Sequence, residues 1–169
     1  VVSVDKGILK SFLMSRTPVA GFGSSNGHGR RQVGAEVASR QSNLIVDSTR
    51  KFSDAKLRDM LKDELKKQNK PYGLFFKEVT GGYTTTGRRG LQAYTVIPLV
   101  VFRIYADNRP DELVRGADIV GTPLTSFAKI VATSDELSVF NGYCGAESGS
   151  VPVSAISPSI LISEIEIQR

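Results

Sequence analysis

Leu57, Met60, Leu61 and Leu65 repeat at helical spacing, one apolar stripe on an otherwise charged segment, and predict an amphipathic helix over about 54–69. Ser53 stands where an N-cap is needed, and Pro71 cannot continue the helix. Asp54 with Arg58 and Asp63 with Lys67 are opposite charges four residues apart that support it. A shorter helix is predicted over 123–132. Thr122 would be its N-cap, Pro123 would sit in the first turn where a missing N–H costs nothing, and Leu124, Phe127, Ile130 and Val131 would form its apolar stripe.

The other apolar runs read as strands, being rich in β-branched and aromatic residues: 8–12, 43–47, 73–78, 91–105, 114–120, 138–140 and 160–167. Pro98 falls inside the longest run and implies an edge, a bulge or a break there. Strands in the majority, without strict β-α alternation, predict a single α+β domain over 1–169, with a largely antiparallel, barrel-like sheet and two amphipathic helices. The run Val96–Phe102 is far short of the roughly 20 apolar residues that span a bilayer, so no membrane association is expected.

Charge alters this picture little. The chain has 22 Lys+Arg against 17 Asp+Glu, a net +5, and residues 50–70 alone supply +4 of it. Five of the eight bases in that segment lie along the predicted helix, with no aromatic residues between them there, so a solvated helix face is expected and a nucleic-acid partner is not. One Cys rules out a disulfide framework and favours a cytoplasmic setting. With one Cys and one His, a self-sufficient zinc site is not expected.

The glycines gather in three segments, at 21–34, 81–90 and 142–149, each expected to be a loop. The first has a superficial phosphate-loop look, but no strand enters it, no apolar helix follows it, and the Walker spacing is absent. It carries His28, whose two readings are a solvated loop residue and a general base or metal ligand. Arg30 and Arg31, like Arg88 and Arg89, follow a glycine and are either solvated charges or anchors for a substrate carboxylate. The third segment carries Cys144, between Gly142-Tyr143 and Gly145, on an expected turn shortly before Val151-Pro152-Val153. A small buried residue and a thiol open to its surroundings both remain available to it.

The stretch Val114-Arg115-Gly116-Ala117-Asp118-Ile119-Val120-Gly121-Thr122-Pro123-Leu124, followed by Cys144-Gly145 and Val151-Pro152-Val153, resembles the C-terminal part of the TldD/PmbA metallopeptidases. Asn26–Arg31 is similar to the family's Asn-Gly-Arg-Arg stretch, with His28-Gly29 interrupting it, and Gly81-Gly82 and Asp107–Glu112 fall in the family's order. The resemblance implies a zinc-dependent peptidase acting on peptides or unfolded proteins. In that family a His-Glu-x-x-x-His helix supplies two zinc ligands and a catalytic glutamate, and a cysteine completes the site. Cys144 occupies the matching position, whereas the helix motif is absent, because His28 is the only histidine.

The chain, which begins at Val1, is therefore expected to be the C-terminal domain of a longer protein, inactive by itself and without bound zinc. Gly81, Gly82 and Gly145 are candidates for letting an extended peptide pair with a strand edge. The family also contains metal-free partner subunits, against which Cys-Gly and Val-Pro-Val speak here, and it is described as modulating DNA gyrase. The resemblance further implies homo- or heterodimers.

Overall fold

In the computed structural model, which describes every residue except Pro18, Thr86, Arg88, Leu91, Asn108 and Arg169, the chain opens with short paired segments. They are β1 (Val4–Asp5), β2 (Ile8–Leu9), β3 (Gly29–Arg30), β4 (Ala38–Ser39) and β5 (Leu44–Ile45). There follow β6 (Lys51–Phe52), α1 (Asp54–Lys67), β7 (Tyr72–Thr85), β8 (Ala93–Tyr105), β9 (Glu112–Val114), β10 (Asp118–Gly121) and α2 (Pro123–Ala128). Two long strands, β11 (Ile130–Ala146) and β12 (Gly149–Ile162), and the short β13 (Glu166–Gln168) complete the chain. The fold is α+β and mostly antiparallel, as expected. The barrel-like expectation does not hold: among the described residues the sheets are open.

Two compact units divide the chain. The first comprises Val1–Asp47 and Leu137–Pro158, the second Ser48–Glu136 and Ser159–Arg169. In the first, β1 pairs with β2 and β3 with β4, both antiparallel. There β5 lies parallel to β12, Leu44 opposite Ala155 and Ile45 opposite Ile156. In the second, strands run in the order β13-β10-β8-β7, with β9 also on β8, and β6 pairs in parallel with β11 at Thr133 and Ser134.

The first helix forms as its residues direct. Ser53 is extended and its hydroxyl accepts a bond from the Lys56 N–H at 3.3 Å. The helix stops at Lys67, slightly short of the expected 69, because Asn69 turns left-handed (φ 52°). The Lys70 N–H then bonds to the Leu65 carbonyl and the Asn69 N–H to that of Lys66, a Schellman closure with Asn in the place glycine usually takes. The predicted stripe faces inward: Leu57 and Leu65 are buried, and Leu57 joins Ala132 and Leu161 in a core flanked by Phe52, Met60, Leu61 and Val131. The ion pairs differ from those expected. Arg58 pairs with Asp111, while Lys67 pairs with Glu64 and Lys66 with Asp63 at three-residue spacing.

The second helix is shorter than predicted and its stripe is wrong. It ends at Ala128, and Ile130 and Val131 belong to β11, since pairing of that strand with β6 outweighs local helical spacing. Leu124 and Phe127 are 85% and 67% exposed, while the buried residue is Ser126, bonded to the Tyr94 hydroxyl at 2.7 Å. Thr122 makes no capping bond to the backbone; its hydroxyl donates to Thr125 Oγ1.

The strand at 91–105 is β8, its predicted first residue Leu91 lying outside the described residues. It runs through Pro98, and the irregularity falls on its neighbour: β7 shifts register between Phe76 and Gly81, opposite Pro98. The span 114–120 is broken at Gly116 (φ 68°) into β9 and β10, and 160–167 is split between β12 and β13. Gly81 and Gly82 lie within β7 and not in a loop, opposite Ile97 and Val96. Among the described residues no helix is long and apolar enough to cross a membrane.

At Gly82 a methyl group would stand 2.3 Å from the Thr95 carbonyl oxygen, whereas at Gly81 it would meet nothing within 4 Å. Gly82→Ala is therefore expected to destabilise by about 1–3 kcal/mol, and Gly81→Ala to stay within about 0.5 kcal/mol of the parent in denaturant unfolding. Equal effects would contradict the strand placement. A second prediction concerns acid. The Tyr105 hydroxyl, with Arg103, holds the Glu112 carboxyl below the usual carboxylate range, and Arg109 does the same to Asp107. Carboxyls depressed in the folded state stabilise it above their unfolded pKa of about 4, and that contribution is lost as pH falls through the depressed value. Melting temperature should fall on acidification through this window, and Glu112→Gln should make the fall shallower.

Candidate functional site

Cys144 lies on β11 and is exposed, its thiol free. The expected turn is a few residues further on, at Glu147 and Ser148, where β11 doubles back into β12. Gly149 closes that hairpin with φ 85°, a backbone conformation that L side chains rarely adopt. The third glycine segment is thus mostly strand, with Gly142 and Gly145 inside β11. Residues 140, 142 and 144 share one face of the strand by its two-residue period. On that face the Phe140 ring lies over Gly142, where an added Cβ would come within 2.8 Å of the ring. On the opposite face, nothing stands within 4 Å of where a Cβ of Gly145 would be.

The hairpin is held from afar by polar side chains. Arg40, 7% exposed, sends Nη1–H to Ser148 Oγ at 3.1 Å and to the Gly149 carbonyl at 2.6 Å, and Nη2–H to the carbonyl of Cys144 itself. Gln32 grips the same turn: its N–H donates to the Ser148 carbonyl at 2.8 Å and its Oε1 accepts from the Ser150 N–H at 2.9 Å. Neither Arg40 nor Gln32 stands out in the sequence. Both sit in polar segments more than 100 residues from their partners, and no local pattern signals such a contact.

The β3–β4 pairing, Gly29 with Ser39 and Arg30 with Ala38, continues to His28 and Arg40, whose N–H donates to the His28 carbonyl at 2.8 Å. The chain's single histidine and single cysteine are thereby joined through one residue. His28 is half-buried and its Nδ1 lies 2.8 Å from Asn26 Oδ1. The Met14 N–H donates to that same oxygen at 2.7 Å, and Asn26 Nδ2 donates to the Phe12 carbonyl at 2.8 Å. Those two bonds orient the amide, so Nδ1 must be the donor and Nε2 is left as the acceptor in the neutral ring.

Arg30 is engaged within its own loop, at the Gly27 and Gly29 carbonyls and Ser42 Oγ, and Arg31 at the Ala35 carbonyl. Arg88 lies outside the described residues. Gly81 and Gly82 belong to the second unit, Cys144 and Gly145 to the first. Asn43, Asn141, Tyr143, Pro152, Val153 and Ser154 line a groove of about 500 Å³, of which Asn141 and Tyr143 lie close to Cys144 in sequence. Its wall is fixed by Ser154 Oγ–H bonding Asn141 Oδ1 at 2.6 Å and by the Ser154 N–H bonding Asn43 Oδ1 at 3.3 Å. Among the described residues no three of His, Cys, Asp and Glu come together as a metal cluster, so Cys144 stands as a single soft donor.

A family model described as the PmbA/TldA metallopeptidase C-terminal domain matches residues 1–169. The chain belongs to this family. Metalloprotease MJ0996 of Methanocaldococcus jannaschii is 26% identical over 153 residues, which are 90% of this chain and 31% of that protein. The chain thus spans about a third of the length of that relative. The matched domain includes the Cys144 hairpin, the Arg40 segment that holds it, and the glycine-rich loop of His28.

The tautomer of His28 can be checked directly. In the neutral ring, nitrogen-15 shifts should report a proton on Nδ1. Asn26→Ala should release it, so that a majority of rings carry it on Nε2, the form usual in unconstrained imidazole. A parent protein already protonated on Nε2 would contradict the Asn26 contact.

Proposed function

We propose that the longer protein containing this chain is a zinc-dependent peptidase acting on peptides or unfolded proteins, and that this chain provides one zinc ligand, the Cys144 thiolate. The observation that carries the reading is the exposed thiol of Cys144 on an anchored hairpin, in a chain of the metallopeptidase family. The residues present fit a shared site. Zinc favours thiolate and imidazole donors, the Cys144 thiol is free and exposed, and a single donor requires that the remaining ligands, two histidines by the family resemblance, come from the part of the protein outside this chain. The metal, when bound, activates a water for attack on the peptide carbonyl.

The chain's own part is to hold the ligand and to receive the substrate. Over residues 137–146, β11 has β12 as its neighbour in the first unit, and no strand is paired with its other edge among the described residues. That edge passes Gly145, where the missing side chain leaves the backbone N–H and C=O accessible to an extended peptide. Gly81 and Gly82 lie on β7, itself the outermost strand of its sheet, and offer the same kind of edge in the second unit.

In the full-length protein, zinc analysis should find about one metal per chain. Cys144→Ser should lose the metal and the peptidase activity, while the chain of residues 1–169 alone should hydrolyse nothing. Zinc and activity that survive Cys144→Ser would overturn the assignment. A full-length protein that holds no zinc and activates a second subunit would support the metal-free partner role instead.

A further inference from the structure

The buried Arg40 guanidinium spans the base of the Cys144 hairpin. Its three bonds go to the carbonyl of Cys144, the hydroxyl of Ser148 and the carbonyl of Gly149. Arg40 is 7% exposed and Ser148 0%, so water does not compete freely for these groups. A planar guanidinium presents its donors in a rigid fork. Holding the Cys144 carbonyl at a set angle fixes the peptide plane that follows Cα, and so narrows the direction in which the Cα–Cβ bond and the thiol leave the strand. The Arg40 backbone is itself tied down by its N–H bond to the His28 carbonyl, and the neighbouring Ser39 by its hydroxyl accepting the Ser15 N–H at 2.7 Å. The fork is therefore mounted on a fixed base.

We propose that Arg40 is the positioning residue for Cys144. Its fork orients the thiolate so that a metal is met without rearranging the hairpin. The inference rests on Cys144 being a zinc ligand, and Arg40 acts only through it. Lysine at this position keeps the charge but, as a point charge on a flexible stem, cannot reproduce three bonds in fixed directions. A role that needed charge alone would be rescued by lysine; a role of the fork would not.

The test uses the full-length protein loaded with cobalt(II) in place of zinc, whose thiolate-to-metal charge-transfer band reports the Cys–metal bond. Alongside it, hydrogen exchange of the 142–150 amides is followed without metal. Arg40→Lys and Arg40→Met should each weaken cobalt binding about 10–100-fold, the usual cost of losing a group that orients a ligand. Both should alter the band at matched occupancy and speed exchange in the hairpin. Ser148→Ala, which leaves the guanidinium and its two carbonyl bonds in place, should give a smaller loss of a few-fold, and it carries the test if the Arg40 variants do not fold. Parental affinity, band and exchange in Arg40→Lys, or in Ser148→Ala where only that variant folds, would overturn the inference. A band lost in Cys144→Ser but untouched in both Arg40 variants would sink the Arg40 role alone. A band that survives Cys144→Ser would remove the zinc-ligand reading and this role with it.

Discussion

The first unit depends on a cation buried among neutral oxygens. Its buried apolar residues among those described are Met14 and Val151, and burying two such side chains is worth about 1.5–3 kcal/mol each. The three bonds from Arg40 to Ser148, Gly149 and Cys144 are each worth about 1.5–3 kcal/mol, as bonds to a charged group. Polar closure is thus of the same order as hydrophobic burial in this unit. The arrangement is also intolerant: the donor taken away leaves the buried Ser148 hydroxyl without that partner.

The second unit is built in the more familiar way. The stripe of α1 lies on a core of Leu57, Ala132 and Leu161, and the chain beneath it comes close because Gly73 has no side chain. A methyl there would stand 3.0 Å from Leu61 and 3.3 Å from Leu65. Exposed ion pairs such as Lys67 with Glu64 add little to this core, since solvent screens them. Of the +4 that residues 50–70 contribute, this helix itself nets only +1, and Arg50, Lys51 and Lys70 beside it supply the rest.

Where expectation and structure part, a long-range contact has outweighed a local signal. Ile130 and Val131 keep helical spacing from Leu124 and Phe127, yet they extend as β11 because a strand pairs beside them. Residues 149–159 fall outside every strand expected from the sequence, yet they form most of β12. Gly81 and Gly82 look like a loop until their register opposite Ile97 and Val96 shows a strand whose backbone comes close to its neighbour. Each case was invisible locally because strand pairing joins residues far apart in the chain.

The sequence by itself determined the α+β class, the first helix with its Ser53 cap and apolar stripe, and the family, since these rest on local spacing and on the order of motifs from Val114 to Val153. It also singled out Cys144, as the one thiol among glycines. Only the tertiary structure decided that Cys144 stands on an exposed strand, that Arg40 and Gln32 hold its hairpin, and that His28 meets Arg40 across β3 and β4. The reason is physical. Periodicity and capping are properties of neighbouring residues, whereas the place of a side chain in a site is set by hydrogen bonds to partners more than a hundred residues away.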